Sequence, residues 1–429
     1  MKYRRPPGTN DVTPQQAIQW QQMEAVFADL CRRHCFGELR TPIFEDTDLF
    51  IRSVGHGTDI VSKEMYTFED RGGRSLTLRA EGTAPAVRAY LENHLAQQDP
   101  QRLVKLYYVA PIFRYDRPQA GRYRQHTQFG LEAIGSDCPA VDVEIIQTAV
   151  ELYQAAGLRD VVLKLNSVGC PQCAPGYVQA LRDFMADKLD QVCDDCRRRY
   201  DENPLRMIDC KNAQCRIVVE QAPKMTDLLC EECEDHFGHV RRYLELLGIS
   251  YDLDPYIVRG LDYYTRTAFE FVAASIGAQS SIGGGGRYDG LVKQIGGRST
   301  PAVGIGIGVE RVLLVREQQG VAQTEQPRDG CLVVTLGDAA WEAGLKLATM
   351  LRGHGVRADV DYRRRSMRAQ LRHADGERFA RALIIGDQEL EQGIVAVRDM
   401  ETGEQQEVTQ DRLLQFVTGV PGQCEKQVD

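Results

Sequence analysis

Gly304-Ile305-Gly306-Ile307-Gly308-Val309-Glu310-Arg311 is the stretch on which the fold turns. Its spaced glycines invite comparison with a dinucleotide-binding loop. The third glycine comes too early for that, and Val309 stands where the fingerprint needs Gly or Ala. Read as a strand, the segment presents bare backbone that a flat ring can approach closely. It then delivers Arg311 to the mouth of a following helix, where a guanidinium can stack on a purine or meet a terminal phosphate. Taken alone, the commoner fate of such a segment is a Gly-rich strand followed by a solvated Glu–Arg pair, so the choice rests on what accompanies it. No Gly-x-x-x-x-Gly-Lys-Ser/Thr loop occurs anywhere in the chain, which excludes a P-loop NTPase.

Upstream, Phe113-Arg114-Tyr115-Asp116-Arg117-Pro118 leads through Gly121-Arg122-Tyr123-Arg124-Gln125-His126 to Gln128-Phe129-Gly130-Leu131-Glu132. A strand ending in Arg, a loop dense in Arg and a returning strand make a hairpin with a cationic tip. Fixed guanidinium forks of this kind neutralise charge that develops in phosphoryl or nucleotidyl transfer. A solvated basic turn is the bland alternative. Period-2 alternation argues against it, because it sets Gln128, Gly130 and Glu132 on one face and Phe129 and Leu131 on the other, as in a pocket wall. A third constellation, Arg259-Gly260-Leu261-Asp262-Tyr263-Tyr264, is joined downstream by Gly283–Gly286, Arg287, Tyr288, Asp289 and Gly290. The tyrosines offer hydroxyls over a tight turn, although a core ring with one satisfied hydroxyl is the commoner fate of Tyr.

The 429 residues have room for two or three domains, and 43% hydrophobic with 26% charged content is that of a globular chain with a full core. A net charge of −9 argues against coating nucleic acid by bulk charge and leaves a local basic face open. No run approaches the ~18 apolar residues of a membrane span. Met1-Lys2-Tyr3-Arg4-Arg5-Pro6 has no apolar run behind its basic residues, so a cytoplasmic protein is expected. Of thirteen cysteines, eight crowd between Cys170 and Cys233. In a reducing compartment such clustering points to metal or to buried thiols.

Strand-like runs (Ser75–Leu78, Leu103–Val109, Gln128–Ile134) and a helix over Val141–Ala156 fill a first block, residues 1–165, closed by a strand at Val161–Leu165. Residues 166–240 change texture to Cys, Asp, Glu and Arg with helical patterning. Strands resume across 241–324 at Thr267–Val272 and Val303–Val309, so the middle block reads as an insertion into a strand-rich domain. A polar linker follows around Glu325–Arg328. Residues 328–429 alternate short strands (Cys331–Thr335, Ala382–Ile385, Ile394–Val397) with helices, as a small α/β domain does.

Together these segments carry a resemblance. Phe113–Glu132 and Gly304–Arg311 resemble motifs 2 and 3 of class II aminoacyl-tRNA synthetases. Arg259–Tyr264 and Gly284–Gly290 resemble the two signature segments of histidyl-tRNA synthetases, and Thr77–Thr83 and the C-terminal block extend the likeness over nearly the whole chain. The resemblance implies an α/β protein with an α+β catalytic core, in which a class II antiparallel sheet with helices carries a helical Cys-rich insertion and a C-terminal anticodon-binding domain. It further implies a homodimer paired near Leu39–Phe50, and histidine, ATP with Mg2+ and the histidine tRNA as substrates, with no membrane. The silent synthetase-like subunit of histidine biosynthesis is the alternative. Such paralogues typically lack the C-terminal domain and lose signature arginines, which this chain keeps.

Carried over residue by residue, the resemblance gives Arg114 a grip on the α-phosphate of ATP. Arg259 would meet the same phosphate from the other side, in the place where other class II enzymes use a divalent ion. Arg122 and Arg311 would meet the terminal phosphates. Glu81, Thr83 and Gln128 would hold the α-amino group, with Gly82 between the first two. Glu132, Tyr264 and Tyr288 would read the imidazole, supported by Tyr263. The family usually has Glu where this chain has Asp116; Asp shortens the reach by one methylene, and Asp116 is left out of the site. Cys170–Cys173, Cys193–Cys196 and Cys230–Cys233 are Cys-x-x-Cys pairs, and Cys210 with Cys215 makes a looser fourth. Four thiolates from two such knuckles suit one tetrahedral structural zinc, so the eight hold up to two ions or remain buried free thiols. By resemblance the insertion would touch the acceptor arm. Arg363, Arg364, Arg365, Arg368, Arg372, Arg378 and Arg381, with Ser366 as a helix cap, would face the anticodon stem.

Overall fold

A computed structural model describes residues 3–55, 58–96, 99, 102–208, 210, 212–257, 261–321 and 327–419. The chain divides into two compact units, residues 1–323 and 324–429. In the first, the strands are β1 (Gly37–Glu38), β2 (Phe44–Asp46), β3 (Thr67–Glu69), β4 (Ser75–Leu78), β5 (Val104–Phe113), β6 (Gln125–Ile134), β7 (Val161–Ser167), β8 (Asp252–Leu253), β9 (Thr265–Ala273), β10 (Ser281–Arg287) and β11 (Ala302–Gly308). Among the described residues, eight of them form one sheet in the order β1-β5-β6-β11-β10-β9-β7-β8, and β2-β4-β3 form a small second sheet. The long strands from β5 to β7 pair antiparallel, and only the outermost pairs, β1 with β5 and β7 with β8, are parallel.

The alternation in β6 decides which face is core. Phe129, Leu131 and Ala133 enter the main hydrophobic cluster with Met23 and Phe27 of the helix Pro14–Arg33 and with Ile145, Ile146 and Leu152 of the helix Pro139–Ala155. Phe27 stacks on Phe129 with ring centroids 4.4 Å apart. Gln128, Gly130 and Glu132 occupy the opposite face, as their period requires. The neighbouring strand explains its own glycines. Gly304 pairs with Glu132 and Gly306 with Gly130 in the register of β11 on β6. A Cβ at Gly304 would stand 1.9 Å from a Glu132 carboxylate oxygen, and one at Gly306 would stand 1.5 Å from the Gln128 amide nitrogen. Two polar side chains of the adjacent strand therefore lie over the bare backbone that the sequence reserves for a flat ring, although Gly306 and Gly308 still border the pocket described below.

Between β7 and the helix Glu231–Leu246 the inserted residues form the helices Ala174–Met185, Asp194–Glu202, Leu205–Ile208 and Ala213–Val219. They enclose a core of their own in which Tyr177, Leu181, Met185, Met207, Val218 and Met225 pack with the thiols.

In the second unit, β12 (Cys331–Thr335), β13 (Ala358–Val360), β14 (Arg381–Ile385), β15 (Ile394–Asp399) and β16 (Gln405–Thr409) form a sheet in the order β13-β12-β14-β15-β16. β12 runs parallel to β13 and β14, and the other pairs are antiparallel. Ser366 stands at the N-cap of the helix Met367–Gly376, but its side chain makes no cap bond. The turn before it is held instead by Asp361, which accepts from Arg365 N at 2.9 Å and from the Arg365 guanidinium.

One ion pair locks the sheet to its helices. Arg287, at the end of β10, is fully buried and donates through Nε to Asp142 at 2.8 and 3.0 Å, while Asp142, also fully buried, faces His236 at 3.3 Å. The remaining guanidinium nitrogens donate to the carbonyls of Ser136 and Cys138, so the charge is satisfied on every side. Removing one partner of such a pair leaves the other charge buried and uncompensated. Arg287→Met is expected to lower unfolding stability by about 3–5 kcal/mol, read as a fall in the urea midpoint at an unchanged slope.

Candidate active site

A pocket of about 190 Å³ opens on the sheet face that carries Gln128. Three arginines line it. Arg114 follows β5 directly and is held by its Nε on the carbonyl of Ala80 at 2.7 Å. Arg122, on the hairpin tip, pairs through Nε with the Asp116 carboxylate. Arg311, in the first turn of the helix Val309–Gln318, donates to the carbonyls of Gly121 at 2.7 Å and Ser281 at 2.6 Å. Burial, followed by the charges of Arg122 and Arg114, holds the Arg311 pKa below the usual guanidinium range. Like charges so crowded favour an anion among them.

Two buried carboxylates belong to the same site. Glu81 accepts from the backbone N–H groups of Thr83 at 2.7 Å and Ala84 at 2.6 Å, at the start of the helix Thr83–Glu92, and Tyr263 donates to it at 3.4 Å. Burial raises its pKa. Behind it, Glu132 receives three hydroxyls: Tyr288 at 2.5 Å, Thr83 at 2.8 Å and Tyr108 at 3.1 Å. Burial lifts Glu132 to about 8 against these donors. The carbonyl oxygen of the Gln128 side chain is buried and finds no donor among the described residues.

Of the residues singled out in the sequence, Glu81, Thr83, Arg114, Arg122, Gln128, Tyr263, Tyr264 and Arg311 border this one pocket. Glu132 and Tyr288 lie immediately behind it, fully enclosed, and reach it through Thr83 and Tyr263. Gly82 is buried beside Tyr108, whose hydroxyl a Cβ there would meet at 2.3 Å. Arg259 lies outside the described residues, as does most of the linker around Glu325–Arg328.

Asp116, His126 and Glu310 are acidic or basic lining residues that escaped the sequence reading. Asp116, set aside for its short reach, lines the pocket as the partner of Arg122. His126 shares the β6 register of Gln128 and Glu132, so the same alternation would have found it; burial, then Arg114 and Arg311, depress it to about 3 and keep it neutral. Glu310 accepts from Thr127 N at 2.8 Å and is raised by burial to about 7. Its place next to Arg311 was visible, but its burial was not.

The insertion gathers its thiols into two groups, Cys170, Cys173, Cys230 and Cys233 in one and Cys193, Cys196, Cys210 and Cys215 in the other, the sulfurs of each within 4.8 Å of one another. Sulfur pairs stand at 3.7 Å (Cys170–Cys230), 3.8 Å (Cys170–Cys173 and Cys173–Cys233) and 3.9 Å (Cys193–Cys210). A disulfide would hold them at about 2 Å. A tetrahedron of thiolates about 2.3 Å from a central zinc has edges of about 3.8 Å, so both groups fit that ion.

In the second unit, Arg364 pairs with Asp338 and lies over the Trp341 ring, Arg365 pairs with Asp361, and Arg381 lies over Phe416. Arg368 and Arg372 stand exposed, four residues apart on one helix.

Comparison with known proteins bears on the whole chain. A family model described as Histidyl-tRNA synthetase matches residues 8–312, and one described as Anticodon binding domain matches residues 330–419. A histidine–tRNA ligase of Pelotomaculum thermopropionicum is 52% identical over 96% of this chain and 97% of its own length. One from Desulforamulus reducens is 49% identical over 96% and 98%. The apo crystal structure of Staphylococcus aureus histidyl-tRNA synthetase superposes with a TM-score of 0.82 at 38% identity, covering 97% of this chain and 99% of that one. Matched by that family's model across the whole sheet that carries the pocket, and by relatives over nearly its entire length, this chain belongs to the histidyl-tRNA synthetases.

Proposed function

We propose that the protein is a histidine–tRNA ligase: it joins histidine to ATP as histidyl-adenylate, releasing pyrophosphate, and then passes the histidine to the 3′ end of its tRNA. The observation that carries the reading is the lining of one pocket, which brings three guanidiniums together with Glu81 and Gln128 in front of the Glu132 hydrogen-bond network. A polyphosphate suits the guanidiniums, and an α-ammonium with an imidazole suits the acidic groups and Gln128. A carboxylate is already a nucleophile, so adenylate formation needs no general base and the enzyme supplies orientation and charge stabilisation at phosphorus.

In this reading Arg114 grips the α-phosphate, with Arg259 opposite it, and Arg122 and Arg311 take the β- and γ-phosphates of ATP, which arrives with Mg2+. The donor-less Gln128 oxygen and the Glu81 carboxylate accept from the α-ammonium, helped by Thr83 beside Gly82. Glu132 selects imidazole through Tyr264 and Tyr288, with Tyr263 supporting them, since a side chain without ring nitrogens would leave this buried hydrogen-bond network without its match. The two thiol groups hold structural zinc. Exposed Arg368 and Arg372 face the tRNA anticodon stem. Phe44 and Phe68, exposed and edge to face on the small sheet, and exposed Ile43 just before it are covered by a second copy in a cytoplasmic homodimer. Nothing favours the silent regulatory alternative, because the anticodon-binding domain is present and Arg114 and Arg311 both line the pocket.

ATP–pyrophosphate exchange tests the reading directly. Exchange should depend on histidine among the amino acids, and Arg114→Ala should cut kcat by about 10²–10³-fold, the usual loss when one fixed charge-stabilising group is removed. No exchange with any amino acid would end the proposal.

The pH profile tests Glu132. At pH 7 the empty enzyme carries one proton on Glu132, held up to about 8, and free histidine carries a neutral ring, so the complex forms with the one shared proton it needs. Below about 6.5 the imidazole brings a second proton that must leave, and above about 8 the carboxylate has lost the first. kcat/KM for histidine is therefore expected to be bell-shaped with limbs near those values. Glu132→Gln should remove the alkaline limb and raise the histidine KM; an alkaline limb that persists in that variant would take the role away from Glu132.

A further inference from the structure

The two thiol groups are alike in composition and differ in place. Cys193, Cys196, Cys210 and Cys215 all come from inside the insertion. Cys170 and Cys173 follow the end of β7, and Cys230 and Cys233 open the Glu231–Leu246 helix that leads back to the sheet, so the first group closes the insertion where its chain leaves and returns.

Arg266 sits against that closure. It is the second residue of β9, two positions after Tyr264, and it holds φ at +53°. A non-glycine residue keeps that left-handed conformation only where its surroundings enforce it. Here they are the two residues before Cys170: Val168 N donates to the Arg266 carbonyl at 2.8 Å, and Arg266 N donates to the Gly169 carbonyl at 2.6 Å. The side chain is held from the other knuckle, with its Nη2 3.4 Å from Glu232, which lies between Cys230 and Cys233. Its Nε stands 3.9 Å from Asp289, the residue after Tyr288, and Asp289 N donates to Thr265 Oγ1 at 3.3 Å. One residue thus touches the chain beside both knuckles of the first thiol group and, at Asp289, the second signature segment, and it lies two positions after the end of the first.

We infer that the first group, Cys170, Cys173, Cys230 and Cys233, is a zinc clasp that fixes Tyr263 and Tyr264 through Arg266 and so sets the affinity for histidine, whereas the second group holds only the insertion together. The inference rests on the ligase reading and on zinc in the thiol groups. With the ion in place the four sulfurs stay about 3.8 Å apart as thiolates bound to one cation. Without it they have no common partner, the knuckles loosen, and Val168, Gly169 and Glu232 no longer hold Arg266. Arg266 is a positioning residue: it acts on histidine through the tyrosines.

The test measures zinc per chain in the full-length protein together with histidine KM, ATP KM and kcat in pyrophosphate exchange. Wild type should carry about two zinc ions. Cys193→Ser should lose one and keep the wild-type histidine KM. Cys230→Ser should also lose one but raise the histidine KM about tenfold, with kcat and ATP KM changed less than about twofold. Arg266→Ala should keep both ions and reproduce the rise in histidine KM, and Arg266→Lys should recover part of it. An unchanged histidine KM in Cys230→Ser, or an equal rise in both cysteine variants, would overturn the inference. If Cys230→Ser does not fold, Arg266→Ala decides, and a wild-type histidine KM in it refutes the coupling. Wild type that exchanges with histidine but carries no zinc would refute the clasp and leave the ligase reading standing. Wild type that carries zinc but does not exchange would refute the ligase reading instead.

Discussion

A carboxylate removed from water must be met by donors or give up its charge, and Glu132 is where this protein meets that constraint. Its three hydroxyl partners come from places far apart in the sequence: Thr83 from a helix start, Tyr108 from β5 and Tyr288 from the end of the Gly-rich β10. Gly304 on β11 leaves the space in which the carboxylate lies. Strand order, glycine placement and tyrosine positions all become intelligible as ways to surround one acid. The arrangement is rigid because no member can move without leaving a buried oxygen unmatched.

The arginine side follows the complementary logic. Arg114 and Arg311 are each anchored by hydrogen bonds to backbone carbonyls, and such bonds hold a guanidinium in place without neutralising it. Arg122 differs, for it pairs with Asp116 and stands 3.8 Å from Glu64. The pocket thus holds fixed guanidiniums and buried acceptors together, with the neutral His126 beside Arg114 and Arg311. A preorganised field of this kind does not have to reorganise when charge moves during reaction.

Periodicity exposed β6 and its two faces because a half-buried strand states its alternation openly, and that placed Gln128 and Glu132 on the site side before any coordinates. The same count would have added His126. Burial was less visible: Glu310 reads alone as half of a solvated pair and Arg287 only as part of a signature segment, and their tertiary surroundings show that one is raised and the other paired. Cysteine spacing announced knuckles but could not say which knuckle meets which. The partition into 170/173/230/233 and 193/196/210/215 is set by where β7 ends and the Glu231–Leu246 helix begins, and that is a property of the sheet.

The insertion also bears on the order of folding. Ser167 and Thr267 are register partners in β7 and β9, although a hundred residues separate them. Bringing ends so distant together in an open chain costs loop entropy before any pairing rewards it. The insertion has its own hydrophobic cluster, and once that cluster forms the intervening chain is already compact, with its two ends side by side. The gap left for the sheet edge to close is then short, so the insertion's own core lowers the entropy cost of pairing β7 with β9.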